Sequence, residues 1–305
     1  MDLRFLELER EYVWRRSWLY ACHTDQLPER GSFLLWKKSG STILIVRGAD
    51  DEIRAFYNAC RHKGAMLTRT ETGRGKYIVC PYHGWTFDLT GRLVGITDGA
   101  WFGDVDKPTH GLKPLAVAER CGLVFVVPAV LEPGQNADLD LDGFLGPVKD
   151  DLKSWDMQTW EVQSTTPLRP RMNWKLVIDT FLELYHFRYL HGKSVAPLFL
   201  DNITSYERRG RHSRFAVCKP SLLEVESQPR EAWRLRDHAV ILYNLRLRFS
   251  AMALFLIISI QTLFKLRQFT NFCCPQTFVF FNNSFYCRIK ILTIPKLTNT
   301  CTFRH

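Results

Sequence analysis

Two short runs carry donor atoms at a spacing that could hold metal. They are Cys60-Arg61-His62 and, after seventeen residues, Cys80-Pro81-Tyr82-His83-Gly84-Trp85. Each run offers one thiolate and one imidazole. That set suits a [2Fe–2S] centre in which two Cys hold one iron and two His the other. Neutral imidazoles lower the cluster's negative charge and raise its reduction potential by roughly several hundred millivolts. The competing use of Cys2His2 is structural zinc. Zinc modules, however, pair like with like, Cys-x2-4-Cys and then His-x3-5-His, whereas both loops here mix the two types. Gly64 and Gly84 allow tight loops whose N–H groups can point at cluster sulfides, and Pro81 and Trp85 stiffen and cover the second loop.

A second candidate lies downstream. Asn173-Trp174-Lys175 opens a run through Asp179 and Glu183 to His186 and His191. Leu176, Val177, Thr180, Phe181 and Leu184 recur at helical spacing, which predicts a helix. His186 and His191 are five apart and would diverge by about 140° on a regular helix. The helix is therefore expected to end or distort between them. Glu183 lies one turn before His186, where its carboxylate can reach the ring nitrogen not given to a metal. Asp179 lies two turns before, on the same face. Alone, the two histidines could equally be surface residues of an amphipathic helix. The upstream donor set turns the reading towards metal.

Together the motifs resemble the large (alpha) subunit of the Rieske non-haem iron aromatic-ring-hydroxylating oxygenases, over roughly residues 10–245. The resemblance implies a cluster on Cys60, His62, Cys80 and His83. It implies Fe(II) on His186 and His191, within a 2-His-1-carboxylate set. Glu183 would be the catalytic acidic bridge, contacting His83 of a neighbouring subunit. Many members carry Asp there, and Glu is found in some branches, including ones acting on quaternary ammonium substrates. The implied fold is α+β: an all-β Rieske domain followed by a helix-grip catalytic domain, an antiparallel sheet curled around a long helix. The implied function is hydroxylation or dihydroxylation of an aromatic or other small organic substrate with O2. NAD(P)H electrons would arrive through a reductase, with or without a ferredoxin, and the assembly would be a trimer or a multiple of it. The alternative is a Rieske electron-transfer remnant without oxygenase activity.

The elements that must position these donors follow from patterning. Residues 1–29 read as a helical lead-in. Arg4, Glu7, Arg10, Arg15 and Arg16 interrupt any signal-peptide core, so the expected location is the cytoplasm. Residues 30–135 form the Rieske domain. Short apolar or alternating runs at Ser32–Trp36, Ile43–Arg47, Ile53–Tyr57, Tyr77–Val79, Trp85–Asp88 and Leu123–Val127 predict strands, with the donor loops between them. Residues 136–158 are a linker rich in Pro, Gly and Asp. Residues 159–245 form a partial catalytic domain, opening on a strand at Thr159–Thr166. Cys22, Cys121 and Cys218 are scattered, which suits reduced structural thiols rather than a disulfide frame.

The tail, 246–305, changes character. Residues 238–305 contain no Asp, Glu or Gly, but eight of the forty-one Lys and Arg. Most of the formal net charge of +10 is therefore a property of this segment, and gives no argument for nucleic acid. The apolar stretch Phe249–Phe264 is shorter than the roughly 20 residues of a membrane span. A divergent folded end would lack turn residues and charge pairs. The preferred reading is an aberrant or disordered tail, arising from a retained intron or shifted frame. In the resembling family the third iron ligand is an Asp on a C-terminal helix. No carboxylate follows Asp237 here, so that ligand is expected to be missing, with only Asp179 or Glu183 as local substitutes.

Overall fold

A computed structural model describes residues 3–38, 41–130, 139–168, 173–245, 254–259, 277–282 and 287–293. Between Phe144 and Leu145 these divide into two compact units. The fold is α+β.

In the first unit, helix α1 (Leu3–Glu9) runs into a π-helical turn ending at Trp14. The helical lead-in stops there. Leu19–His23 is a strand, β1, rather than part of a helix to residue 29. Its residues are all buried, because it pairs antiparallel with a strand far along the chain, Leu19 opposite Val126. Next come β2 (Ser32–Lys38), β3 (Ser41–Arg47), β4 (Ile53–Tyr57) and β5 (Thr72–Arg74). Then follow β6 (Ile78–Val79), β7 (Thr86–Phe87) and β8 (Leu93–Gly95). The last three are β9 (Pro114–Leu115), β10 (Val117–Arg120) and β11 (Leu123–Val126). They form three sheets, ordered β1-β11-β10, β5-β2-β3-β4-β9 and β6-β7-β8.

The donor loops leave two of these sheets. The first follows β4, and the second connects β6 to β7. Leu44, Val46, Phe56, Leu67, Trp85, Phe87, Leu89, Leu93 and Leu112 pack into one apolar cluster that also encloses Cys60 and Cys80. At Gly91 (φ +87°) an added Cβ would lie 2.5 Å from the Phe56 ring, so the turn between β7 and β8 requires glycine.

In the second unit α3 (Val148–Ser154) and β12 (Glu161–Leu168) precede α4 (Trp174–Phe181) and α5 (Phe187–Leu190); α2 (Leu141–Leu145) lies at the boundary between the units. The remaining strands are β13 (Thr204–Arg209), β14 (His212–Cys218), β15 (Ala239–Asn244), β16 (Leu254–Ser259), β17 (Thr277–Asn282) and β18 (Cys287–Thr293). They build a seven-stranded sheet ordered β12-β18-β17-β16-β15-β14-β13, antiparallel throughout. The tail thus differs from the disordered segment expected of it. Three stretches rich in Phe, Ile, Leu, Val and Thr pair as strands, because backbone pairing needs β-propensity and not surface acids. The rest of the tail lies outside the described residues, as do residues 136–138 of the linker. Of the apolar stretch Phe249–Phe264, only Leu254–Ser259 is described, and it is a strand. No helix among the described residues is long and apolar enough to cross a membrane.

Candidate metal centres

The two cluster loops share one backbone frame. In the first, Cys60 N–H donates to Ala65 O at 2.8 Å and Gly64 N–H to Cys60 O at 2.9 Å. In the second, Cys80 N–H donates to Trp85 O at 2.8 Å and Gly84 N–H to Cys80 O at 3.0 Å. The fifth residue of each frame is a left-handed glycine, φ +72° at Gly64 and +66° at Gly84, a conformation other residues adopt only with strain. A Cβ on Gly84 would also lie 2.3 Å from Thr97 Oγ1, while Gly64 has open space.

Buried Asn58 pins the base of the first loop. Its Oδ1 accepts from Leu67 N–H and Thr68 N–H, both at 3.0 Å, and its Nδ2 donates to Thr68 O at 2.8 Å. Thr86 Oγ1 and Thr97 Oγ1 both donate to Gly84 O, at 3.0 and 3.3 Å. Asn58 and the two threonines were not singled out by sequence. The only signal was a polar residue two positions before a ligand Cys.

The four donors converge as two like pairs. Cys60 and Cys80 bring their thiols within hydrogen-bonding contact. The His62 and His83 rings lie 4.7 Å apart at 61°. Burial pushes the Cys60 thiol up, and adjacent Cys80 adds to the effect. A free thiol there keeps its proton, and a bound metal is what would remove it. Burial, then the neighbouring His83 and Lys63, push His62 down, favouring the neutral imidazole a metal requires. His62 Nδ1 is buried and has no hydrogen-bond partner. An orphaned ring nitrogen on His62 and two thiols in contact with each other fit iron ligation. Among the described residues no three of His, Cys, Asp and Glu surround one ion position. That is not the tetrahedral set of structural zinc, and it is compatible with two donors for each of two irons.

The downstream pair is held locally. Asn173 caps α4, its Oδ1 accepting from Lys175 N–H at 3.0 Å, which explains the Asn of Asn-Trp-Lys. The helix ends at Phe181, before His186, and not between the two histidines as the spacing suggested. Beyond the helix end, Glu183 Oε2 accepts from His186 N–H at 3.2 Å and Oε1 hydrogen-bonds the same residue's Nδ1. Ring Nε2 is left as the nitrogen to offer a metal. The single turn α5 then carries His186 at its N-cap and His191 at its C-cap, with ring centroids 5.4 Å apart at 70°. Partial burial opposes ionisation of Glu183, but its hydrogen bonds to His186 hold the carboxyl below the usual range.

Asp179 is exposed on α4, and among the described residues no carboxylate joins the two histidines to make a set of three. Phe187 touches both imidazoles edge-on, at 4.9 and 5.9 Å. It also lines a cleft of about 190 Å³ with Leu184, Phe199, Leu200 and the Arg188–Asp201 ion pair.

Comparison with known proteins agrees with this geometry. Residues 17–100 match the Rieske [2Fe-2S] domain, and residues 157–247 match the ring hydroxylating alpha subunit (catalytic domain). Over 206 residues the chain is 34% identical to the glycine betaine monooxygenase oxygenase subunit of Pseudomonas aeruginosa, covering 67% of this chain and 46% of that protein. Over 198 residues it is 33% identical to the anthranilate 1,2-dioxygenase large subunit of Acinetobacter baylyi, covering 63% and 41%. The chain therefore spans about half the length of the curated relatives it matches. In fold it is similar to a quaternary ammonium Rieske monooxygenase crystallised with L-carnitine, with TM-score 0.73 and 20% identity over 96% of this chain and 73% of that one. It is likewise similar to naphthalene 1,2-dioxygenase from a Rhodococcus species, with TM-score 0.67 and 20% identity over 98% and 72%. With a Rieske [2Fe–2S] domain followed by ring-hydroxylating alpha-subunit sequence, the chain belongs to the large subunits of the Rieske non-haem iron oxygenases.

Proposed function

We propose that the chain is the oxygenase component of a Rieske non-haem iron system acting on a small organic substrate. The observation that carries this is the coexistence of two unlike iron sites in one chain. One is a paired Cys60/Cys80 and His62/His83 set with an orphaned ligand nitrogen. The other is a His186/His191 pair oriented by Glu183. When bound, the cluster would supply one-electron transfer and Fe(II) would supply O2 chemistry. Cys60, Cys80, His62 and His83 would hold the first, and His186 and His191 would hold the second.

Glu183 fixes the tautomer and the ring direction of His186, and its side chain stays 47% exposed. His83 is exposed as well. Their accessibility supports a route in which His83 of one subunit meets Glu183 of another, in a trimer or its multiple. Electrons would come from an NAD(P)H reductase, directly or through a ferredoxin. Phe187 and Phe199 give the cleft an apolar wall beside the imidazoles. Glycine betaine, carnitine and anthranilate, named for the relatives, are the first substrates to test, with quaternary ammonium compounds favoured by the Glu at 183.

The test combines protein reconstituted with iron and sulfide, a reductase, NADH and each substrate, and measures O2 uptake against hydroxylated product. Stoichiometric coupling supports oxygenation. A cluster that reduces and reoxidises with no product under any substrate overturns it. One observation favours the second reading, electron transfer without oxygenation: among the described residues no third donor joins the histidines. Iron analysis separates the two, since an oxygenase should hold about three irons per chain and an electron carrier about two.

A further inference from the structure

The two candidate imidazole ligands sit in unlike surroundings. His62 is half-buried, with Trp85 stacked against it at 4.9 Å and an interplanar angle of 7°. Phe102 meets the same ring edge-on, at 5.5 Å and 81°. Trp85 is 3% exposed and touches Phe102 at 6.2 Å and His110 at 5.9 Å, so it cannot move without disturbing the cluster base. His83, besides facing His62, meets the Tyr82 ring at 3.8 Å, and Tyr82 is itself 64% exposed.

A strap delivers Phe102. Trp101 N–H donates to Asp98 O at 2.9 Å and Phe102 N–H to Gly99 O at 3.0 Å, closing a short 3-10 turn over Gly99–Trp101. Left-handed residues flank it, Asp98 at φ 53° and Gly103 at φ 65°. For Asp98, a residue with a side chain, that conformation is strained. Strain of this kind persists where the surroundings enforce it. Phe102 nevertheless keeps 42% of its surface in water, so burial of its own apolar area does not account for its position.

We propose that Trp85 and Phe102 are positioning residues that clamp His62, making it the anchored imidazole of the cluster and leaving His83 as the open one. This rests on the cluster reading above. Stacking fixes the ring plane, and the edge contact keeps water from the ligand nitrogen. Dissociation of a metal-bound imidazole needs the ring to turn and water to enter, and the clamp opposes both. Exclusion of water also bears on redox balance. Two thiolates neutralise an oxidised 2+ core, while the reduced cluster carries one net negative charge. Admitting water at His62 would therefore stabilise the reduced form and raise the reduction potential.

The test uses the full-length cluster-loaded protein and three variants, Phe102→Ala, Trp85→Phe and Tyr82→Ala. Cluster loss is followed by decay of visible absorption with a ferrous chelator present. The potential is read by redox titration, and the electron paramagnetic resonance spectrum is recorded. Phe102→Ala should shorten the half-life several-fold, raise the potential and shift the spectrum, with thermal unfolding of the metal-free protein unchanged. Trp85→Phe keeps a stacking ring and should fall between it and wild type. Tyr82→Ala should stay within twofold of wild type. Equal half-lives in Phe102→Ala and Tyr82→Ala, or an unmoved potential in Phe102→Ala, overturn the clamp. A wild-type protein with no Rieske-type spectrum would instead overturn the cluster reading beneath it.

Discussion

The Cys-His loops and the downstream histidine pair both bring two imidazoles face to face, but they hold them by opposite means. Each cluster loop is a closed backbone frame hung between strands. The base of the first is closed by buried Asn58 at the loop's own start, and that of the second is held by Thr97, beyond β8. The downstream pair is organised within nine residues, by one carboxylate that grips both the backbone and the ring of His186. The cluster site therefore depends on tertiary structure, and the other site depends on local sequence. Damage to the sheets should reach the first and spare the second, whereas loss of the Glu183 carboxylate should do the reverse.

The largest effect should come from removing a thiolate. Cys80→Ser should abolish the visible and paramagnetic signals of the cluster while leaving Fe(II) bound at His186 and His191. Loss of both metals together would break the claim that the sites are built independently. Next, Glu183→Gln should weaken Fe(II) affinity about 10- to 100-fold by loosening His186, with the cluster spectrum intact. An unchanged iron titration would show that the local carboxylate is not what positions the site.

Anchoring polar groups sharpen the contrast in stability. Asn58→Leu strands the buried Leu67 N–H and the half-buried Thr68 N–H and carbonyl, and should cost about 2–4 kcal/mol in urea unfolding. Asn173→Ala removes a single cap and should cost about 1 kcal/mol. Equal costs would erase the distinction between tertiary and local construction.

The smallest effect belongs to the rim of the first unit. Both oxygens of Asp50 accept from Arg54, at 2.8 and 2.7 Å, and this pairing holds its pKa at about 2 against an ordinary 3.8. A depressed carboxyl contributes stability above its unfolded pKa and loses it as pH falls through the folded one. Asp50→Asn should therefore be slightly less stable than wild type at pH 7, with the two converging between pH 3.8 and about 2. A difference that persists at the acid end would mean that geometry rather than charge is responsible.

The donor pairs that the structure brings together, Cys60 with Cys80, His62 with His83 and His186 with His191, were visible in the sequence because residue type and spacing can be read whatever fold presents them. Strands β3, β4 and β11 were legible from unbroken runs such as Ile43-Leu44-Ile45-Val46. Strand β1 was not, since Leu-Tyr-Ala-Cys-His carries no alternation and becomes a strand only by pairing with β11. The end of α4 was misjudged because apolar periodicity runs on to Leu184, whereas the chain leaves the helix after Phe181, with Leu182 N–H turned back to Asp179 O. The strands of the tail were hidden for another reason: composition there argued against a folded domain, while pairing with β12 and β15 asks only for extended backbone. Asn58 and Phe102 were invisible because their roles exist only relative to folded neighbours.

The repeated five-residue frame has one more consequence. Its ends are fixed in both loops, Cys at the first position and glycine at the fifth, yet histidine is third in one and fourth in the other. A shift of one residue inside an unchanged scaffold turns one imidazole inward and the other out to solvent. Register thus gives the two imidazoles unlike exposure, His62 half-buried and His83 exposed. Placing His at the fourth position of both frames would give a two-faced centre, exposed at either imidazole, from the same ten residues.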